Sequence, residues 1–146
     1  MRILIDGDGC PVVGETLKVA SEYNVECILV CDTAHVFSKY QVETVIVSQG
    51  ADSADFALVN QVSPGDVVIT QDYGLAALCL AKRAFPLNQN GILFTNENID
   101  GFLMARHTAK KIRNAGGRLK GPSKRTSEQD RTYCEALRSL LDQLSK

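Results

Sequence analysis

The strongest constraint on this chain is the alternation of short, β-branched apolar runs with longer segments of helical period. RILID (2–6), VECILVC (25–31), VETVIVS (42–48), DVVIT (66–70) and GILFT (91–95) read as strands. Pro11 opens a helical pattern in which Val12, Thr16, Val19, Ala20 and Tyr23 recur at helical spacing. GADSADFALVNQV turns helical after a start at which Asp52 suits an N-cap, and DYGLAALCLAKRAF reads as a helix. Ile99 to Asn114 predicts another, with Phe102, Ala105, Ala109 and Ile112 on its apolar side. DTAHVFSKY (32–40) and AGGRLKGPSKR (115–125) read as loops, and SPG (63–65) as a turn. TSEQ (126–129) matches a capping box that opens a final amphipathic helix to about Leu144. This order specifies an α/β domain: three layers, with helices on both faces of a central, mainly parallel sheet. A chain of 146 residues, 45% of them hydrophobic, suits one such domain, with residues from about 102 to 146 as a basic helical extension. The last helix is expected to pack outside the main fold.

There is no basic-then-apolar leader and no apolar run of about 18 residues, so neither secretion nor a membrane span is expected. Five scattered cysteines suit a reducing cytoplasm better than a disulfide scaffold. Cys27 and Cys31 fall in a strand-like run that spans roughly 13 Å, too far apart for one zinc ion, and read as small buried hydrophobes. The net charge of −1 hides a strong asymmetry. Residues 1–103 carry 5 Lys/Arg against 13 Asp/Glu, whereas residues 104–146 carry 11 against 4. An acidic body joined to a basic tail points to a polyanionic partner.

Three acidic sites follow predicted strands: Asp6 and Asp8 in LIDGDG, Asp52 and Asp55 in SQGADSAD, and Asp72 in VITQDYG. In a parallel sheet these strand ends share the carboxyl edge, where α/β folds bind ligands. Two unit charges about 4 Å apart repel by roughly 4 kcal/mol at an effective dielectric of about 20, so a converged cluster of carboxylates calls for a cation. Hard oxygen donors around an incomplete shell suit Mg²⁺ or Mn²⁺. Each aspartate also has a plain structural reading. Asp52 and Asp72 serve as N-caps, Asp55 as first-turn charge, and Asp6 and Asp8 as turn formers beside Gly7 and Gly9. Asp32 ends a further strand but equally begins a turn. Ser48, Thr70 and Gln71 stand beside the acids and either orient water or phosphate or satisfy local backbone.

From Arg106 to Arg125 there are eight Lys/Arg, one His and no acid. Arg106, Lys110 and Arg113 share a helix face, and Arg118, Lys120 and Lys124 follow on a Gly-rich loop. Cations so placed neutralise phosphates with salt-sensitive affinity, which makes nucleic acid the expected partner, RNA before DNA. No aromatic residue for base stacking occurs between 103 and 132. His107 belongs with the basic face, and His35 lies in the first loop. Cys10 sits beside the acidic turn, where negative charge raises its pKa and suppresses thiolate chemistry. No phosphate-binding P-loop motif is present.

Taken together, LIDGDGCPV, GADSADFALVNQVSPGDVVITQDYGLA and AGGRLKGPSKRTSEQDR resemble the bacterial YaiI/YqxD family, an uncharacterised family also known as a domain of unknown function. The resemblance covers nearly the whole chain. It implies a PIN-like fold, with a parallel sheet and clustered acids at one edge, and PIN-like domains are typically metal-dependent ribonucleases. Carried over, the first acidic position matches Asp6 with Asp8 beside it, the middle pair matches Asp52 and Asp55, and the later one matches Asp72. The doubled DGDG and the basic C-terminal extension depart from the usual PIN pattern. Three functions are then open. In the first, a metal-dependent phosphodiesterase holds Mg²⁺ or Mn²⁺ on the five aspartates and substrate on the basic residues. In the second, a haloacid-dehalogenase-type phosphatase uses Asp6 as nucleophile and Asp8 as acid/base. The third is a non-catalytic RNA-binding protein. The sequence also allows a homo-oligomer.

Overall fold

The computed structural model describes residues 1–32, 42–47, 53–116 and 124–145. Among these described residues ten elements follow in order: β1 (Ile3–Asp6), α1 (Val13–Glu22), β2 (Cys27–Asp32), β3 (Glu43–Val47), α2 (Ser53–Gln61), β4 (Val67–Ile69), α3 (Tyr73–Ala81), β5 (Phe85–Leu87), α4 (Ile99–Asn114) and α5 (Ser127–Leu144). The strands form one sheet in the order β3-β2-β1-β4-β5, and every neighbouring pair is parallel.

β1 is central because it can be buried on both faces. Ile3, Leu4 and Ile5 are fully buried and alternate across the sheet. Ile3 and Ile5 join Leu29, Val67 and Ile69 in a core shared with α1 and α5. Leu4 joins Ile28, Val30 and Val68 in a second core shared with α2 and α3. Burying each such side chain contributes roughly 1.5–3 kcal/mol, which fixes the register of the central strand. α4 packs on α3 through Ile99, Phe102 and Leu103, where Tyr73, Phe94 and Phe102 form an aromatic triad with ring centroids 5.1–5.8 Å apart. No helix among the described residues is long and apolar enough to cross a membrane.

The last helix does not pack outside the fold. Tyr133, Leu137 and Leu141 of α5 are fully buried against α1 and the sheet. The Tyr133 hydroxyl lies 2.6 Å from Thr16 Oγ1, itself bonded to the Val12 carbonyl at 2.6 Å. The start of α5 is held by Arg125, which donates to Asp130 at 2.5 Å, to Asn90 Oδ1 at 2.9 Å and to the Gln89 carbonyl.

The third helix and the final strand also differ from the sequence reading. α3 stops at Ala81, Arg83 takes the left-handed region at φ 63°, and the chain re-enters the sheet as β5. Pro86 disfavours helix at Phe85 and is tolerated because β5 is an edge strand. GILFT contributes only an isolated antiparallel bridge, Leu93 to Leu87.

The topology creates a crevice. The chain leaves β1 toward β2 and β3, then α2 carries it back to β4 on the other flank of β1. The carboxyl ends of β1 and β4 therefore flank a switch point, the place where open α/β sheets bind ligands.

Candidate functional site at the sheet's carboxyl edge

Asp6 closes β1, and Thr70 and Asp72 follow β4. Thr70 is buried, and its Oγ1 donates to Asp6 Oδ2 at 2.9 Å while accepting the Asp72 N–H at 3.0 Å. One hydroxyl thus spans the crevice and fixes where its proton points. The Thr70 N–H donates to the Leu87 carbonyl at 3.1 Å, so β5 holds the residue in place. Asp72 caps α3, its Oδ1 accepting the Leu75 N–H at 3.1 Å, and the same oxygen lies 3.7 Å from Arg106 Nη1. The cap reading of Asp72 therefore holds, and it places the carboxylate beside the positive end of the helix dipole.

The DGDG turn is shaped by its glycines. Gly7 is pressed against β2, and a Cβ there would sit 2.7 Å from Leu29 Cδ1 and 3.1 Å from the Val30 carbonyl. Its N–H donates to that carbonyl at 2.8 Å, and its own carbonyl accepts the Cys10 N–H at 3.1 Å. Gly9 adopts φ +73°, open to glycine without strain. Gln71 Nε2 donates to the Gly9 carbonyl at 2.8 Å, a second tie between the two sides of the crevice. Asp6 and Asp8 are both half-buried.

Burial pushes the Cys10 thiol up to about 11, with the Asp6 charge adding in the same direction. The suppressed thiolate expected from the acidic turn is present, but burial is its larger cause. Cys27, half-buried in β2, is pushed up to about 12 by burial, and Cys31 is buried.

The structure brings Asp6, Thr70, Asp72 and Arg106 together. Asp52 lies outside the described residues, as do Ser48, His35, Arg118 and Lys120; Asp55 lies in α2, with its side chain outside the description. Among the described residues no three His, Cys, Asp or Glu stand together in a group that could hold a metal ion. Of the basic residues, Arg106 reaches the acidic edge, while His107, Lys110, Arg113 and Lys124 are exposed. The apolar side of α4 meets the body at Phe102 but not at Ala105 or Ile112, which are exposed. Arg125, at the end of the basic run, holds α5 rather than facing solvent.

Asp66 is nearly fully buried before β4, at the opposite edge. It accepts the Arg2 N–H at 3.0 Å, the Ser63 N–H at 2.8 Å and the Arg2 guanidinium at 3.3 Å. Its partners make it a structural acid.

The model of the uncharacterized BCR, YaiI/YqxD family matches residues 4–143 of the chain. A UPF0178 protein of Exiguobacterium sibiricum is 51% identical over 141 residues, 97% of this chain and 96% of that one. One from Clostridium acetobutylicum is 47% identical over 143 residues, 97% of each chain. One from Clostridium tetani is 44% identical over the full length of both. A crystal structure of a mutant of Rae1 (YacP) from Bacillus subtilis is similar over 98% of this chain and 99% of that one, at 15% identity and a TM-score of 0.45.

Proposed function

The chain belongs to the uncharacterised YaiI/YqxD family, and for it we propose a nuclease of PIN-like type: divalent-metal-dependent hydrolysis of phosphodiesters, in RNA before DNA, at the carboxyl edge between β1 and β4. One observation supports this above others. The Asp6 carboxylate and the Asp72 backbone N–H meet on one buried hydroxyl, and the first cation of a basic helix stands 3.7 Å from the Asp72 carboxylate.

The donor chemistry suits the proposed cation, since hard carboxylate oxygens are what Mg²⁺ and Mn²⁺ take. The ligand set proposed is Asp6, Asp8, Asp52, Asp55 and Asp72, which draws on two carboxylates outside the described side chains. A bound divalent cation supplies a water acidic enough to ionise near neutral pH and a counter-charge for the leaving oxygen. The chain's own residues do the rest. Thr70 orients the Asp6 carboxylate by donating to it, and the cap bond to Leu75 holds Asp72. Arg106, Lys110, Arg113, Arg118, Lys120 and Lys124 hold the substrate's phosphates. The free cysteines accord with work in the cytoplasm.

Purified protein incubated with labelled RNA and DNA, with Mn²⁺, Mg²⁺ or chelator, tests the reading. RNA should be cleaved only with metal, and Asp6→Asn should abolish cleavage. Full turnover by that variant, or turnover in chelator, would overturn it. The lack of a three-ligand group among the described residues favours one second reading, a non-catalytic RNA-binding protein. It predicts salt-sensitive binding indifferent to Asp6 and to metal.

A further inference from the structure

The most exposed large apolar side chain among the described residues is an aromatic ring: Phe56, at 66%. Its place in the fold matters more than its exposure. α2 follows β3, so its first turn stands at the carboxyl edge, and Phe56 is the fourth residue of that helix. α2 packs on β1, β2 and β3 and against α3, while α3 packs against α4. α2 and α3 therefore lie side by side over one face of the sheet, and α4 packs on α3. Near the edge they carry a ring at Phe56, a carboxylate at Asp72 capping α3, and a guanidinium at Arg106 beside Asp72. Phe56 thus stands in the first turn of a helix that begins at the same edge as Asp6 and Asp72 and packs directly on β1 and α3.

We infer that Phe56 is a substrate-positioning residue on which a nucleobase of the bound strand stacks. The inference rests on the nuclease reading above and adds to it a contact on the flank away from the basic helix. The chemistry divides accordingly. Cations on α4 take phosphates, which every nucleotide carries, and a bare ring takes the face of an unpaired base, which every sequence offers. The absence of aromatic residues from the basic segment is thereby made good from a different element. Phe56 binds without reading sequence, because stacking needs only a π-face.

The chain contains no tryptophan, so Phe56→Trp installs a unique fluorescent reporter. In an Asp6→Asn background that blocks turnover, this variant is titrated with a short RNA oligomer, its abasic counterpart, and the same oligomer annealed into a duplex. Binding by Phe56→Ala and Phe56→Leu is followed in parallel by anisotropy of labelled RNA. The expected result is quenching of the introduced indole by the base-bearing single strand alone. Both substitutions should weaken that strand about 5- to 100-fold and leave the abasic strand unchanged. Because the residue is exposed, both variants should keep the native circular dichroism. If RNA binds with salt-sensitive affinity but the indole is not quenched and both variants bind normally, stacking is overturned while the nuclease reading stands. If the unsubstituted chain binds no polynucleotide, the nuclease reading fails and stacking with it. If the indole changes with protein concentration alone, a second copy covers the ring, and the inference is overturned.

Discussion

Thr70 Oγ1 lies 2.9 Å from Asp6 Oδ2 and thereby joins the carboxyl ends of β1 and β4, two strands 64 residues apart in the chain. The same oxygen accepts the Asp72 N–H at 3.0 Å. A hydroxyl is the smallest group that can donate to one partner and accept from the other at once.

Replacing Thr70 with Val keeps the shape and removes both bonds. The Asp72 N–H then loses its partner beside a buried side chain, which should cost about 1–3 kcal/mol of stability. Thr70→Ser should recover most of that loss. Urea unfolding of the pair checks this, and equal stability of the two variants would show that the hydroxyl contributes nothing.

Asp72 combines a cap with a charge, and two variants separate them. Asp72→Ala loses the cap to Leu75 and should cost about 1 kcal/mol. Asp72→Asn keeps a capping oxygen and should lose only a few tenths of a kcal/mol, because its ion pair with Arg106 is exposed. Both should abolish metal-dependent cleavage. Cleavage by Asp72→Asn at the parental rate would remove this carboxylate from the proposed site.

Cys10 titrates near 11 in the folded chain, above its ordinary value of 9.0. The unfolded chain therefore releases this proton at lower pH than the folded one. Stability from this group is intact below about pH 9 and declines as pH rises toward 11, by roughly 2–3 kcal/mol at most. Cys10→Ala should flatten that part of a stability-against-pH curve measured by denaturant. At pH 8, alkylation of Cys10 in native protein should be far slower than in urea.

Leu137 and Arg131 share α5 but not its role. Leu137→Ala opens a cavity beneath the helix and should cost about 2–5 kcal/mol. Arg131, exposed and paired with Glu128 only at 4.0 Å, should change stability by less than about 0.5 kcal/mol as Ala. Thermal unfolding of the two variants compares them. Similar midpoints would mean that α5 is a surface appendage after all.

What could be read from the sequence was local or periodic. The Thr126 capping box is legible because its partners lie three residues apart; both bonds form, Thr126 N–H to Gln129 Oε1 at 2.8 Å and the reverse at 3.2 Å. The helix from Ile99 to Asn114 is legible too, as is the placing of Asp6 and Asp72 at one edge, because a parallel sheet brings its strand ends there. β5 is not. It is three residues long, contains Pro86, and exists through its pairing with β4. The position of α5 is set by contacts such as Tyr133 to Thr16, 117 residues apart, which no periodicity encodes. Nor does any spacing announce that Thr70 joins the Asp6 carboxylate to the Asp72 N–H, or that Phe56 stands bare in α2.

The central place of β1 has a consequence for how the edge behaves in time. Asp6 ends a strand bonded on both sides and covered on both faces, the kind of segment whose amides exchange with solvent only on global unfolding. From Met104 to Asn114, α4 leaves every side chain but Ala109 exposed, which belongs to the low end of local stability. The acidic half of the edge should therefore behave as a fixed anvil, with the basic half opening and reclosing independently of it. Hydrogen exchange should separate them by orders of magnitude.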